Sequence, residues 1–260
     1  MSVAVQGVPE PEREWLVRLE DVEQVYDGRF RILGPMSLDI RGGEFLALVG
    51  PSGSGKSTLL RMVTGVLPPS RGTISVGGRP LRGANRDAAM VFQSFALFPW
   101  MTVLDNVALG LEARGVGLRE RHAQAEKYIG LVGLSGYERA YPKELSRGMK
   151  QLVGVARALT VEPELLCMDE PFSALDVLTA RTMRERILEL WAKPEVKTKS
   201  ILLVTHSVEE AVTLSDRVVV LRANPGRVAE ILDLRALPRP RRVDAPAVRE
   251  TVDRIYGLLA

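Results

Sequence analysis

Cysteine is nearly absent from this 260-residue chain: Cys167 stands alone, which excludes an internal disulfide and suits a reducing compartment. It lies in the apolar stretch LLCM, where a lone thiol reads as a small buried hydrophobe. Long apolar runs are missing too, and none approaches the roughly 20 residues that would span a bilayer. The N-terminal MSVAVQGVPEPERE lacks both a basic start and an apolar centre, so neither a secretory signal nor export is expected. Nor does one sign of charge dominate. With 35 basic and 32 acidic residues the formal charge is +3, too balanced to indicate nucleic acid as a partner. The local exception is RALPRPRRVDAPAVRE, carrying Arg235, Arg239, Arg241, Arg242 and Arg249. Such a stretch is ordinarily a solvated tail, with contact to anionic lipid or a partner as the rarer use.

What is present is an ordinary globular composition, 46% hydrophobic and 26% charged, long enough to bury one substantial core. Residues 1–14, rich in Pro and Glu, read as a loose N-terminal arm. From Trp15, the β-like stretches WLVRLE, VEQVY and MSLDI precede a buried strand EFLALVG, and TISV follows the PPSRG turn; these predict an antiparallel β layer beside a main sheet. Between about 94 and 160 the texture becomes helical. Thr102 and Asp105 have the form of a capping box ahead of Val103, Leu104, Val107, Ala108 and Leu111 at helical spacing, and 119–132 and 148–161 give two more helices. Strand LLCM, helix 177–191, strand ILLVT, a helix from Ser207 and strand RVVVL then alternate, which predicts a parallel sheet covered on both sides. The expected fold class is therefore α/β: one domain over 15–236 with a helical insert at about 94–160, then a basic C-terminal extension over 237–260.

The chemistry sits in a few short motifs. Gly50, Pro51, Ser52, Gly53, Ser54, Gly55, Lys56, Ser57 and Thr58 satisfy G-x-x-x-x-G-K-[ST], a pattern expected by chance in roughly one chain in a hundred of this length. It follows a strand and opens the helix STLLRMVTG. Its glycines let successive backbone N–H groups curl around phosphate oxygens at a helix start; Lys56 would neutralise β/γ-phosphates and the Ser57 hydroxyl would ligate Mg²⁺. Asp169 and Glu170 end the strand LLCM, where an open parallel sheet binds its ligands: the Asp can hold Mg²⁺ or its waters, and the Glu can orient the attacking water. Gln93, after MVF and before the helical block, can offer its amide oxygen to a metal's ligand shell. His206 ends ILLVT ahead of Ser207 and Glu210, a second capping-box pattern; it is either a polar helix-entry residue or a contact to a γ-phosphate. About twenty residues before the acidic strand end, LSRGM places a Ser-x-Gly at a helix start.

Taken in order over about residues 15–232, these motifs resemble the ATPase subunits of ATP-binding cassette (ABC) transporters, a branch of the P-loop NTPases. The resemblance implies ATP and Mg²⁺ as cofactors. It also implies that Tyr26 stacks on adenine, Gln93 is the Q-loop glutamine, Leu145–Met149 the family signature, Asp169 and Glu170 the Mg²⁺-site acid and catalytic carboxylate, Ser173–Asp176 the D-loop, and His206 the switch histidine. The signature has Arg147 and Met149 where Gly and Gln are commonest in LSGGQ, but it keeps Ser146 and Gly148, which in this family face the γ-phosphate across a dimer. ALFPWMTVLDNVALGL, YPKELSRGMKQ, DEPFSALDVLT and DRVVVLRANPGRV look like the importer branch serving nitrate, sulfonates and taurine. Some similar chains continue into an extra C-terminal domain; this one stops at Ala260, and no such domain is expected.

The expected function is thus ATP hydrolysis that powers small-anion uptake through a separate membrane permease. Its partners would be a second cassette, identical or paralogous, and an external substrate-binding protein, with the chain peripheral on the cytoplasmic face of the inner membrane. Phe98 and Trp100, just past Gln93, are either core residues or part of the groove that receives a permease helix. The rival reading is a soluble ABC ATPase acting on DNA or ribosomes. Only about fifty residues separate Gln93 from Leu145, too few for the long coiled coil of DNA-repair members, and a single phosphate loop argues against the two-cassette translation factors.

Overall fold

The computed structural model describes residues 15–259, so the N-terminal arm expected over 1–14 lies outside the described residues. The elements in chain order are β1 (Trp15–Tyr26), β2 (Phe30–Arg41), β3 (Phe45–Val49), α1 (Lys56–Val63), β4 (Arg71–Val76), β5 (Arg79–Pro80), β6 (Ala88–Val91), α2 (Val103–Ala113), α3 (Leu118–Leu131), α4 (Arg147–Thr160), β7 (Leu165–Asp169), α5 (Val177–Trp191), β8 (Ser200–Thr205), α6 (Val208–Leu214), β9 (Arg217–Arg222), β10 (Arg227–Asp233) and α7 (Pro246–Leu259). They form two sheets. An antiparallel sheet runs β2-β1-β4-β5, and a six-stranded sheet runs β10-β9-β3-β8-β7-β6, parallel except for β10 at its edge.

The six-stranded sheet is buried on both faces, as its near-continuous apolar strands require. Successive side chains alternate between two cores. Phe45, Ala47 and Val49 of β3, with Leu166 and Met168 of β7 and Ile201 and Leu203 of β8, pack with the helices α2–α7. Leu46 and Leu48, with Leu165, Cys167, Leu202 and Val204, pack with α1 and the antiparallel layer. Cys167 is the buried hydrophobe expected, and burial pushes its thiol pKa up. Phe45 also meets Trp191 edge-to-face, with ring centroids 5.7 Å apart, closing α5 onto the sheet.

Two expectations need correction. WLVRLE and VEQVY are one strand, not two: β1 runs unbroken through a register shift between Leu19 and Val22, where Asp21 takes a left-handed φ of 48°. The basic stretch 235–249 is only in part the solvated tail expected. Arg241 is buried and donates to the backbone carbonyls of Val212, Ser215 and Leu234, at the end of α6 and beyond β10. Arg239 pairs with Asp216 at 2.9 Å, Arg235 with Asp233, and Arg242 with Asp244. Past them, α7 buries Val248, Val252 and Ile255 in the helix-side core. Arg239 and Arg241 thus satisfy groups of the fold itself, while Arg235, Arg242 and Arg249 stay exposed at its surface.

Candidate functional site

The phosphate loop joins β3 to α1, and its shape depends on two glycines. Gly53 and Gly55 have φ of 80° and 84°, a region that L side chains rarely enter. At Gly55 a Cβ would also lie 2.2 Å from Leu33 Cδ2, so β2 presses directly against the loop. From the other side, Gly226 in the β9–β10 turn approaches so closely that a Cβ there would sit 2.2 Å from the Ser54 carbonyl. Two hairpins thus fix the loop from outside. The Lys56 ammonium, buried, donates to the carbonyls of Gly50 at 2.7 Å and Pro51 at 3.0 Å. Desolvation lowers its pKa, opposed by the charges of Glu170 and Asp169. Behind it, the first-turn N–H groups of α1 lack intrahelical acceptors, and its N-cap Gly55 offers no side-chain one.

Adjacent strand ends bring the acidic groups to the loop. The Ser57 hydroxyl donates to Asp169 Oδ1 at 3.0 Å. Burial raises the Asp169 pKa, and the Ser57 bond opposes the rise. Glu170 follows immediately at φ 45°, a strained position for a non-glycine, and its N–H donates to the Val204 carbonyl at 2.9 Å. Its carboxylate is the meeting point of the site: Gln93 Nε2 lies 3.3 Å from Oε2, and His206 Nδ1 lies 3.3 Å from the same oxygen. Gln93 also donates to Ser173 Oγ at 3.1 Å. Ser57, Asp169, Glu170, Gln93 and His206, spread over 150 residues of sequence, therefore converge.

Other sequence-predicted residues form a second group. Ser146 is the N-cap of α4, its hydroxyl accepting from Met149 N at 3.2 Å, and Asp176 is the N-cap of α5, accepting from Thr179 N at 3.0 Å. Gly148 ties the two helix starts together, since a Cβ there would lie 2.8 Å from Thr179 Cγ2. Among the described residues no hydrogen bond or ion pair joins this group to the phosphate loop or to Glu170. Tyr26 stands apart at the tip of the β1–β2 hairpin, 38% exposed and paired in register with Phe30, which is 64% exposed. Phe30 was not singled out from the sequence; the signal lay in an exposed aromatic one hairpin turn from Tyr26.

Sequence reasoning also missed how the segment after Gln93 is held. Phe95 and Ala96 both have positive φ, 62° and 48°, and Arg157 of α4 donates to both of their carbonyls, at 3.0 and 2.5 Å. Farther along, the buried Asn106 side chain accepts from Phe98 N at 2.8 Å and donates to the carbonyls of Phe98, Met101 and Thr102. The loop so pinned presents Trp100, 69% exposed, in an edge-to-face pair with the half-buried Phe98 at 5.3 Å. Trp100 is therefore not a core residue.

The donor chemistry suits a nucleotide with a hard divalent cation: one hydroxyl and one carboxylate within hydrogen-bonding distance, beside a lysine and free N–H groups. Comparison with known proteins agrees as to the nucleotide. The ABC transporter family profile matches residues 33–173. The chain is 44% identical over 221 residues to the nitrate import ATP-binding protein NrtD of Synechocystis, covering 84% of this chain and 82% of that one. It is 42% identical over 220 residues to the taurine import ATP-binding protein TauB of Pseudomonas savastanoi, covering 84% and 83%. Among solved structures, the dimeric cassette MJ0796, described as a bacterial ABC transporter cassette, matches with a TM-score of 0.72 at 29% identity, covering 84% of this chain and 98% of that one.

Proposed function

The chain belongs to the ABC transporter family of ATP-binding, ATP-hydrolysing proteins, and from that premise we propose that it powers import of a small anion such as nitrate, a sulfonate or taurine through a separate membrane permease. The observation that carries the catalytic part of this reading is the convergence of Gln93 and His206 on the Glu170 carboxylate, next to the Ser57–Asp169 pair. Each residue then has a task. The loop's N–H groups and Lys56 hold the β- and γ-phosphates; Lys56 must exchange its bonds to Gly50 and Pro51 for phosphate oxygens. Ser57 and Asp169, with Gln93 beside them, would hold Mg²⁺, whose charge offsets that of the phosphates. Glu170 orients the attacking water, and His206, on the same carboxylate oxygen, faces the γ-phosphate. Tyr26 stacks on the adenine, with Phe30 beside it.

Ser146, Gly148 and Asp176 have no role in that half-site. We assign them to the nucleotide of a second copy or a related subunit, so that two cassettes close head to tail over two ATP molecules. The separation of the two residue groups, the similarity to a dimeric cassette and the free outer face of the Ser146 cap support this arrangement. The pinned loop that carries Trp100 is the surface offered to the permease, with the chain peripheral on the cytoplasmic face of the inner membrane and an external binding protein delivering the anion. Nothing favours the alternative of DNA or ribosome work: the insert between Gln93 and Leu145 holds only α2 and α3, of 11 and 14 residues, too short for a coiled-coil arm. Among the described residues no helix is long and apolar enough to cross a membrane.

The test is reconstitution of the chain with a co-expressed permease and binding protein in liposomes. Hydrolysis stimulated several-fold by nitrate or taurine is expected. A stable complex whose hydrolysis answers to neither anion nor any sulfonate would overturn the substrate reading.

A further inference from the structure

The turn that carries His206 is held by side chains outside the nucleotide site. The sequence pattern Ser207…Glu210 predicts a capping box in which the glutamate turns back to the Ser207 N–H. Only half of it forms. The Ser207 hydroxyl accepts from Glu210 N at 3.2 Å, but the Glu210 carboxylate goes elsewhere: Oε2 accepts from the Thr205 hydroxyl at 2.7 Å and Oε1 from Arg184 of α5 at 2.8 Å. The Ser207 N–H donates instead to Thr205 Oγ1, at 3.0 Å. One buried hydroxyl thus ties together the residues on both sides of His206, and Glu210 fixes the direction of that hydroxyl's proton.

The arginine extends the connection. Arg184 lies on α5, whose N-terminus is capped by Asp176 and packed against Gly148 through Thr179. Its ion pair with Glu210 is largely shielded, with side-chain exposures of 27% and 13%, so it is screened less than a surface pair. A shift of α5 moves the guanidinium, hence the Glu210 carboxylate, hence Thr205 and the backbone on either side of His206. The imidazole stands 3.3 Å from Glu170, where an error of about 1 Å costs roughly a hundredfold in rate.

We infer that Glu210 is a positioning residue for His206, and that its pair with Arg184 links that histidine to the helix starting at Asp176, on the face assigned to the second cassette. This rests on the role proposed for His206, and the test separates the two. Glu210→Gln keeps the shape and an acceptor for Thr205 but sets an amide against the Arg184 guanidinium. ATP hydrolysis is measured in single turnover, with ATP affinity measured directly, in the full chain and in the His206→Ala background. In the otherwise native chain Glu210→Gln is expected to slow hydrolysis about 10-fold with affinity changed less than about 2-fold; in the His206→Ala background it adds less than about 2-fold. The chain has two histidines, so the His206 ring signal is identifiable by NMR from the His122→Gln variant, and Glu210→Gln is expected to move that signal alone.

Equal losses in both backgrounds, or no loss in the native one, would overturn the proposal. If His206→Ala itself hydrolyses ATP at the native rate, the role of His206 falls instead. Should Glu210→Gln not fold, Thr205→Val is run through the same cycle, with Thr205→Ser expected to restore the native rate.

Discussion

Ser57 and Asp169 stand 112 residues apart in the chain, yet the Ser57 hydroxyl donates to the Asp169 carboxylate at 3.0 Å. The sheet order makes this possible. β3, which feeds the phosphate loop, and β7, which ends in Asp169, are both parallel neighbours of β8, so their C-terminal ends lie on one edge. That edge is where an open α/β sheet binds its ligand.

Asp169→Asn removes the charge but keeps the acceptor for Ser57. We expect ATP to bind as in the native chain when EDTA is present. Magnesium-dependent turnover should fall about 100-fold, equivalent to roughly 2.7 kcal/mol of barrier. Isothermal titration with and without Mg²⁺, beside a phosphate-release assay, reads both effects.

Ser146 both caps α4 and, in the dimer proposed, faces the partner's nucleotide. Ser146→Ala would lose both properties, whereas Ser146→Asn keeps a good N-cap and loses only the hydroxyl. The asparagine variant should melt within about 0.5 kcal/mol of the native chain and still lose at least about 10-fold in hydrolysis. Native turnover in that variant would argue against a trans site.

The strands around the nucleotide were legible in the sequence because each is a short apolar run bounded by turn residues, and because its flanking Gly, Asp or His is tied to a known chemistry. β1 was read as two pieces because a bulge at Asp21 interrupts the alternation that identifies a strand. Arg241 looked like part of a solvated run because sequence shows charge but not acceptors; it is consumed by four backbone carbonyls, those of Val212, Ser215, Leu234 and Leu237, that the fold assembles. For the same reason Arg157 and the Arg184–Glu210 pair left no local pattern. Their partners lie about 60 and 26 residues away, beyond any helix or strand period.

Arg157 holds two non-glycine residues in left-handed conformations, each costing of order 1–3 kcal/mol. Arg157→Leu should free the loop at 95–101 to be cut by protease about 10-fold faster, with Gln93 still held by Glu170 and Ser173. Basal hydrolysis should stay within about 3-fold while stimulation by the permease is lost. Limited proteolysis with mass spectrometry, and hydrolysis measured with and without the permease, test both statements.

Far from the nucleotide, Arg217 donates to both Glu44 oxygens at 3.1 Å and to Asp39 at 3.3 Å, and the Arg217–Glu44 pair is buried. Burial raises the Glu44 pKa, partly offset by its hydrogen bonds and by Arg217. Arg217→Met leaves a buried carboxylate without its cation and should cost about 3–5 kcal/mol in urea denaturation. Adding Glu44→Leu should recover much of the loss.

The central claim is that this chain supplies only half of each catalytic site, with Glu170 acting on the ATP of its own loop and Ser146 on that of a partner. Glu170→Gln keeps the side chain's shape at the point where Gln93 and His206 meet. Light scattering after size exclusion, with Mg²⁺ and ATP present, gives the mass of this variant directly. The account predicts a dimer that retains unhydrolysed ATP and reverts to monomer on adding Ser146→Arg. A monomer that binds ATP, or a variant that still hydrolyses it at the native rate, would contradict it.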